Sequence, residues 1–332
     1  MSPTRAMVLA AGLGTRMRPL TTRRPKPALP ALNRPLVAHV LEHLAGHGVT
    51  FAVVNLHSLP DVMEEAVSRW QPPDMQIVFS REKEILGTAG GLRKAARHFK
   101  GEPLFLVNSD SLSDADLGKA ARDHAEAGRL ATMVVRPHHP AEGYRPLEVA
   151  RAGGPVPRVT GLAGKRWGQG EPRTFSGVHV LDPRVLEAIP SGRPVDIVSE
   201  VYLEMLGKDR DAVGAWLHEG WWFEAGNPWR YRELNMAMLA RSQRGSVFGP
   251  GFFLDEEARV ERSVVGAGCR LMGGAVVSDS VLWENVAVGE NVSLTRCVVT
   301  DGVSLAMGSS WADSLLMDDG EGGVDAHPME AA

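Results

Sequence analysis

The chain has 332 residues, 44% hydrophobic and 23% charged, which excludes a disordered chain, a collagen and a coiled coil and suggests about two domains. Its 36 Lys+Arg against 40 Asp+Glu leave a net charge of -4, so no basic surplus points to nucleic acid. Cys269 and Cys297 are the only cysteines, too few for a disulfide framework or a Cys-rich zinc site.

The expected setting is a reducing cytoplasm. The apolar run from Ala6 to Ala11 is too short for a signal peptide and breaks at Gly12 and Gly14. No apolar stretch reaches the roughly 18 residues of a membrane helix, so no membrane partner is expected.

Strand and helix signals alternate along the first half. Met7–Ala11, Phe51–Leu56, Met75–Phe79, Leu104–Val107 and Leu130–Val135 read as strands. Leu36–Leu44, Val62–Trp70, Ala89–His98 and Ala115–Gly128 have helical spacing. The alternation predicts an α/β, Rossmann-like fold: a mixed, mostly parallel sheet with helices on both faces. Ligands on such sheets collect at the carboxyl ends of the strands. The Gly-rich turn after Met7–Ala11 and the polar Asn108-Ser109-Asp110 both fall there. Beyond them, Ala152–Arg173 is rich in Gly and Pro and reads as loop with short strands. Thr174–Leu181 is strand-like, and Pro194–Leu206 and Tyr231–Ser242 are helical.

The pattern changes near Ser246. Ser263-Val264-Val265, Ser280-Val281-Leu282, Cys297-Val298-Val299 and Ser314-Leu315-Leu316 recur every 17 residues. Between them apolar residues fall at steps of six: Val265, Leu271, Val277, then Val286, Val292, Val298. Short strands at this period suit stacked coils. The expected division is therefore an α/β domain over 1–245, coils over 246–317, and a flexible acidic tail over 318–332.

The strongest local signal is Leu9-Ala10-Ala11-Gly12-Leu13-Gly14-Thr15-Arg16-Met17-Arg18-Pro19-Leu20-Thr21, followed by Pro25-Lys26-Pro27. Two Gly residues let the backbone turn sharply and approach a ligand, and consecutive N–H groups can form an anion nest. Arg16 offers a forked phosphate donor and Lys26 a point charge. The run lacks the Gly-Lys-Ser/Thr ending of a Walker A loop. Met17 replaces the third Gly of a dinucleotide fingerprint.

This run resembles the signature of the sugar-1-phosphate nucleotidyltransferases, also called NDP-sugar pyrophosphorylases. Glu84-Ile85-Leu86-Gly87-Thr88-Ala89-Gly90-Gly91 is similar to the family's second nucleotide loop, and Val107-Asn108-Ser109-Asp110 to its metal-binding turn. Phe175-Ser176-Gly177-Val178 resembles its sugar-contacting strand. Trp222-Phe223-Glu224-Ala225-Gly226-Asn227-Pro228 resembles its late Trp-x-Asp-x-Gly-Thr-Pro element. The repeats after Val260 resemble the left-handed β-helix behind this domain in many members, including mannose-1-phosphate guanylyltransferases.

The resemblance implies joining of a sugar 1-phosphate to a nucleoside triphosphate, with pyrophosphate leaving. Both substrates are anionic, so catalysis is mostly positioning and charge neutralisation, assisted by Mg²⁺ on one or two carboxylates. It assigns Arg16 and Lys26 to catalysis. Leu9, Ala10, Ala11, Gly12, Gly14, Thr15, Gly87, Thr88 and Ala89 fall to the nucleotide. Asn108, Glu148, Lys165 and Gly177 fall to the sugar, and Asp110 and Glu224 to the metal. Glu224 departs from the family's usual Asp, and Asn227 from its Thr. For Thr88 an N-cap role is the structural alternative, and Glu148 and Lys165 also read as surface charges.

Ala10-Ala11 leans towards guanylyl or uridylyl members, with GTP and mannose 1-phosphate, or a related hexose or heptose 1-phosphate, as the leading pair. The alternatives are a UTP-dependent enzyme for N-acetyl-muramate or glucose 1-phosphate, and a non-catalytic regulatory paralogue that binds nucleotide sugars. The coils read as a packing or homo-oligomerisation surface.

Overall fold

The N-terminal apolar run forms the strand Arg5–Leu9, with Ala6, Met7 and Val8 fully buried. It pairs in parallel with Phe51–Leu56 on one side and Leu104–Asn108 on the other, and Gln76–Arg81 extends the parallel set beyond Phe51–Leu56. Arg5–Leu9, Phe51–Leu56 and Leu104–Asn108 are short, mostly apolar and buried, which suits strands covered on both faces, whereas the outer Gln76–Arg81 is only half-buried. Leu9 stands opposite Asn55 and Asn108, so the polar segments after these strands emerge at one sheet edge. These strands belong to the first of two structural units, which holds the chain up to Leu13 and Val37–Phe223. The computed structural model describes residues 2–330.

Antiparallel strands complete the sheet of this unit. Glu171–Leu181 runs against Leu104–Asn108 and against Ala131–Pro137, which in turn pairs in parallel with Val213–Leu217. The first half of Glu171–Leu181 also pairs with Leu147–Val149, which leads on to Val159–Leu162 and Lys165–Arg166. The register of Glu171–Leu181 shifts between Phe175 and His179, and Gly177 sits within the shift at φ +95°. The helix Gly87–Ala95 packs on the sheet through Ala89, Leu92 and Ala95, which share a core with Met7, Leu106 and Met133. The helix Leu117–Ala127 starts where the Asp116 side chain accepts from Lys119 N (2.7 Å) and ends at left-handed Gly128.

The helix expected over 194–206 arrives later and in two parts. Ile197–Tyr202 is π-helical and Leu203–Lys208 α-helical. Asp196 delays the start: its Oδ1 accepts from Val198 N (3.1 Å) and Ser199 N (2.7 Å). The Val195 carbonyl is already used by Ala89 N and Gly90 N.

Two histidines of this unit are buried as neutral rings. His124 is 6% exposed beside Thr132 Oγ1 (2.8 Å), and His179 is 2% exposed beside Tyr202 Oη (3.0 Å). Burial holds their pKa values down to about 4 and about 3. The unfolded chain takes up these protons near the ordinary 6.5, so the stability they contribute is complete above that pH. It drains away as pH falls towards 4 and below. Thermal unfolding followed from pH 7.5 to 4.5 should show a falling melting temperature, and His124→Gln should flatten the fall. A slope unchanged in that variant would refute the assignment.

The second unit comprises Gly14–Leu36 and the chain from Glu224 on. In it the signature segment and the helix Pro228–Arg241 group with the coils. From Val247 the strands stack in three parallel columns. Val247, Val264, Val281, Val298 and Leu315 are successive partners, each 17 residues on. The other columns run Phe253, Arg270, Ala287, Ser304 and Arg259, Val276, Ser293, Ser310. This is the parallel stacking of a hexapeptide left-handed β-helix.

The repeat has a physical basis at each level. Val265, Leu271, Val277, Leu282, Val288 and Leu294 are buried in the shared interior, with Cys269 and Cys297 as small free thiols among them. Ser263 and Ser280 form a ladder, in which Ser280 N donates to Ser263 Oγ (3.1 Å) and Cys297 N to Ser280 Oγ (3.0 Å). At one corner Arg262, Asp279, Arg296 and Asp313 share positive φ, and they pair as Arg262–Asp279 and Arg296–Asp313.

The acidic tail, expected to be flexible, instead carries the strand Val324–Pro328, antiparallel to Ser314–Asp318. An open strand edge attracts unwanted pairing, and the tail strand covers the one on Ser314–Asp318.

Candidate active site

In the first unit, the turn after Arg5–Leu9 is tied to its neighbours by polar bonds. Ala10 N donates to Asn55 Oδ1 (2.8 Å), Asn55 Nδ2 donates to Glu82 Oε1 (2.8 Å), and Leu86 N donates to Glu82 Oε2 (3.0 Å). Glu82 is 5% exposed, so its carboxylate is satisfied by neutral donors. This chain of bonds joins the turn after Arg5–Leu9 to the segment that leads into the helix Gly87–Ala95. One amide of the expected nest, that of Ala10, is therefore used by Asn55. A Cβ at Gly12 would meet nothing within 4 Å, so packing does not demand Gly there and the space lies open.

The second loop is held from the other side. Gly87 has φ +73°, and a Cβ there would lie 2.5 Å from the Val195 carbonyl oxygen. Ala89 N and Gly90 N donate to that carbonyl at 3.0 and 3.2 Å. Thr88 is not an N-cap: the helix starts at Gly87, and the Thr88 hydroxyl donates to Asp196 Oδ2 (3.1 Å) while accepting from Ile197 N (2.7 Å). The close approach is thus made by Val195 at Gly87 and by Leu86, Arg193 and Val195 at Gly90.

Asn108 closes its strand, and Ser109 Oγ donates to Leu9 O (2.5 Å), which sets the half-buried Asp110 beyond it. Ser111 Oγ reaches Asp110 Oδ1 at 3.4 Å. Gly177 lies over this turn, since an added Cβ would be 3.2 Å from Asn108 Cβ and 3.1 Å from Ser111 Oγ. Trp222 Nε1 donates to Ser176 O (2.7 Å), fixing that bend. Glu148 pairs with Arg166, and Lys165 is exposed on a two-residue strand.

In the second unit Gly14 takes φ +59°, where an added Cβ would lie 2.9 Å from Thr21 Cγ2; Thr21 Oγ1 donates to Gly14 O (2.9 Å). Thr15–Met17 and Lys26–Ala28 are single tight turns, with Thr15 exposed and Met17 buried as the anchor. They bring two cations to one carboxylate: Arg16 Nη2 lies 3.6 Å and Lys26 Nζ 3.8 Å from Glu224 Oε1. Glu224 is only 14% exposed, so it is not a solvated surface acid. Asn227 caps the next helix by accepting from Arg230 N (2.8 Å), a task that Asn and Thr side chains both perform.

No group of three or more His, Cys, Asp or Glu placed to hold a metal occurs among the described residues. An ion such as Mg²⁺ takes one or two carboxylates and completes its shell with water and substrate phosphates. Asp110 and Glu224 have the right donor chemistry.

Asn55, Glu82 and Asp196 were not singled out in the sequence. Their signal was present as polar residues in or beside apolar strand and helix runs. Asn55→Ala would leave Ala10 N and Glu82 Oε1 unpaired, at a cost of about 1–3 kcal/mol. A lower denaturation midpoint together with a raised KM for the nucleotide is expected. A raised midpoint, or an unchanged KM, would contradict this role.

A family model described as Nucleotidyl transferase matches residues 5–241, and one described as GlmU-like, C-terminal hexapeptide matches residues 240–313. The chain belongs to the nucleotidyl transferase family and is an enzyme of the sugar-1-phosphate nucleotidyltransferase class, whose members generally work with a divalent metal.

Among relatives, it is 28% identical over 314 residues to probable mannose-1-phosphate guanylyltransferase 3 of Oryza sativa subsp. japonica, covering 91% of this chain and 80% of that one. It is 30% identical over 278 residues to mannose-1-phosphate guanyltransferase of Aspergillus oryzae, with 78% and 74% covered. It is 27% identical over 317 residues to mannose-1-phosphate guanylyltransferase of Mycobacterium tuberculosis, with 91% and 81% covered. The crystal structure of HddC from Yersinia pseudotuberculosis shares the fold, with TM-score 0.58 at 19% identity, over 72% of this chain and all of that one. No helix among the described residues is long and apolar enough to cross a membrane.

Proposed function

We propose that this enzyme makes an NDP-sugar and pyrophosphate from GTP and mannose 1-phosphate, or a closely related hexose or heptose 1-phosphate, with Mg²⁺. The observation that carries the chemistry is the convergence of Arg16 and Lys26 on Glu224. Two cations against one carboxylate leave a net positive charge that suits polyphosphate, because phosphate oxygens compete with the single carboxylate oxygen. The relatives named for mannose 1-phosphate and guanylyl transfer support the substrate pair.

In this reading the sugar-phosphate oxygen attacks the α-phosphorus in line, the α–β bond breaks, and no protein nucleophile takes part. Arg16 and Lys26 neutralise the departing pyrophosphate. Leu9, Ala10, Ala11, Gly12, Gly14 and Thr15 carry the triphosphate, and Gly87, Thr88 and Ala89 border the nucleoside. Asn108, Gly177, Glu148 and Lys165 border the sugar, with Glu148 oriented by Arg166. Asp110 and Glu224 would hold Mg²⁺, whose charge offsets that of the phosphates.

We place the enzyme in the cytoplasm, a setting that suits its two free, buried thiols. The β-helix is assigned to self-association, with Phe252, Phe253 and Leu254 exposed on its first coil; a monomer by sedimentation at micromolar concentration would remove that assignment.

The test is pyrophosphate release from GTP, UTP, dTTP, ATP and CTP against several sugar 1-phosphates with Mg²⁺. GTP with mannose 1-phosphate is expected to dominate. A UTP preference would replace the substrate pair. Silence throughout, with nucleotide sugars still binding, would mark a regulatory protein.

A further inference from the structure

The signature segment Gly14–Leu36 folds as part of the β-helix unit, and one side chain is built into both. Arg24 Nη2 lies 2.8 Å from Asp301 Oδ2 and 4.0 Å from Glu284 Oε2 on the coils, and its guanidinium stands 5.1 Å from the Trp283 ring centroid. The receiving side is fixed: Glu284 N donates to Asp301 Oδ1 (3.0 Å), and Trp283 Nε1 donates to Tyr231 Oη (2.9 Å) with both rings buried. Tyr231 Oη in turn donates to Pro30 O (2.5 Å), and Asn33 Nδ2 donates to Val265 O (2.8 Å). Arg24 stands two residues before Lys26, whose turn is closed by Ala28 N to Pro25 O (2.8 Å) and Leu29 N to Lys26 O (3.1 Å).

We propose that Arg24 is a positioning residue through which the β-helix holds the signature segment, so that the coils set the placement of Lys26. Its planar fork meets a carboxylate on one side and an indole face on the other, two contacts a lysine reproduces only in part. The Asp301 carboxylate is partly buried on the coils, so an opposed guanidinium is worth more there than on open surface. The β-helix is thereby a working part of the catalytic segment. The inference rests on the functional reading only for its kinetic consequence.

The experiment uses the full-length chain with Arg24→Ala, Arg24→Lys and Asp301→Asn. Amide hydrogen exchange at Thr22, Ala28 and Leu29 should become about tenfold faster in Arg24→Ala and Asp301→Asn, while Val281, Trp283 and Val298 on the coils keep their protection. With GTP and mannose 1-phosphate, kcat should fall about 10–100-fold in Arg24→Ala, as expected when a catalytic group is misplaced without being removed. Arg24→Lys should recover part of that loss. Unchanged exchange in the segment would overturn the proposal, and so would faster exchange with full kcat. If Arg24→Ala fails to fold, Asp301→Asn, which keeps the acceptor for Glu284 N, decides by the same readings. A wild type silent with every substrate pair would sink the functional reading, and exchange alone would then decide whether Arg24 holds the segment.

Discussion

Asp110→Ala is expected to lower turnover on the order of 10³-fold at saturating substrates, the several kcal/mol that a metal's charge contributes at a phosphoryl centre. Asp110 follows the buried strand Leu104–Asn108 and is set by the Ser109 hydroxyl bond to Leu9 O, neither of which the substitution touches. The fold should therefore survive, with a melting temperature within a few degrees of wild type. The decisive measurement is pyrophosphate release against Mg²⁺ concentration. A variant whose activity returns at high Mg²⁺ has lost affinity only, which still marks Asp110 as a ligand. Near-normal turnover at ordinary Mg²⁺ would remove Asp110 from the metal site.

Lys26→Ala should be nearly as damaging, at about 10²–10³-fold in kcat, the usual loss when one preorganised charge donor is removed. Lys26 and Arg16 point at the same oxygen, yet their settings differ. The Lys26 side chain is 11% exposed and that of Arg16 is 72%. An exposed ion pair contributes little to stability, whereas a mostly buried carboxylate that loses its buried partner is left poorly compensated. Arg16→Ala should accordingly cut kcat with the melting temperature unmoved, and Lys26→Ala should cut kcat and lower the melting temperature. Equal stability in the two variants would show that Glu224 does not depend on Lys26. Full activity in both would detach the signature segment from the chemistry.

Much of the molecule was legible in the residues before any coordinates. The strands Arg5–Leu9, Phe51–Leu56 and Leu104–Asn108 follow from short apolar runs that alternate with helical spacing, the pattern of a parallel sheet covered on both faces. The 17-residue recurrence of Val264, Val281, Val298 and Leu315 is the coil period itself, because each coil must present an apolar residue at the same height to its neighbour. Family membership was legible as well, since the Gly-rich run with Arg16 and Pro25-Lys26-Pro27 is long and local.

What tertiary structure alone decided are contacts between residues far apart in the chain. The pairing of Asn55 with Ala10 and Glu82 spans 45 and 27 residues. Thr88, for which a helix cap was the structural alternative, is instead a partner of Asp196, 108 residues on. The tail, acidic and Gly-rich, reads as unstructured because its composition offers little apolar area, yet an open strand edge supplies it with backbone partners. The alliance of Gly14–Leu36 with the coils was equally invisible, since Arg24 carries no mark of its partner Asp301. Periodicity and local motifs are written along the chain, and the sequence alone therefore determined the strands, the coils and the family. Long-range polar pairing depends on which surfaces the folded elements bring together, so the folded structure alone determined what holds the candidate site in place.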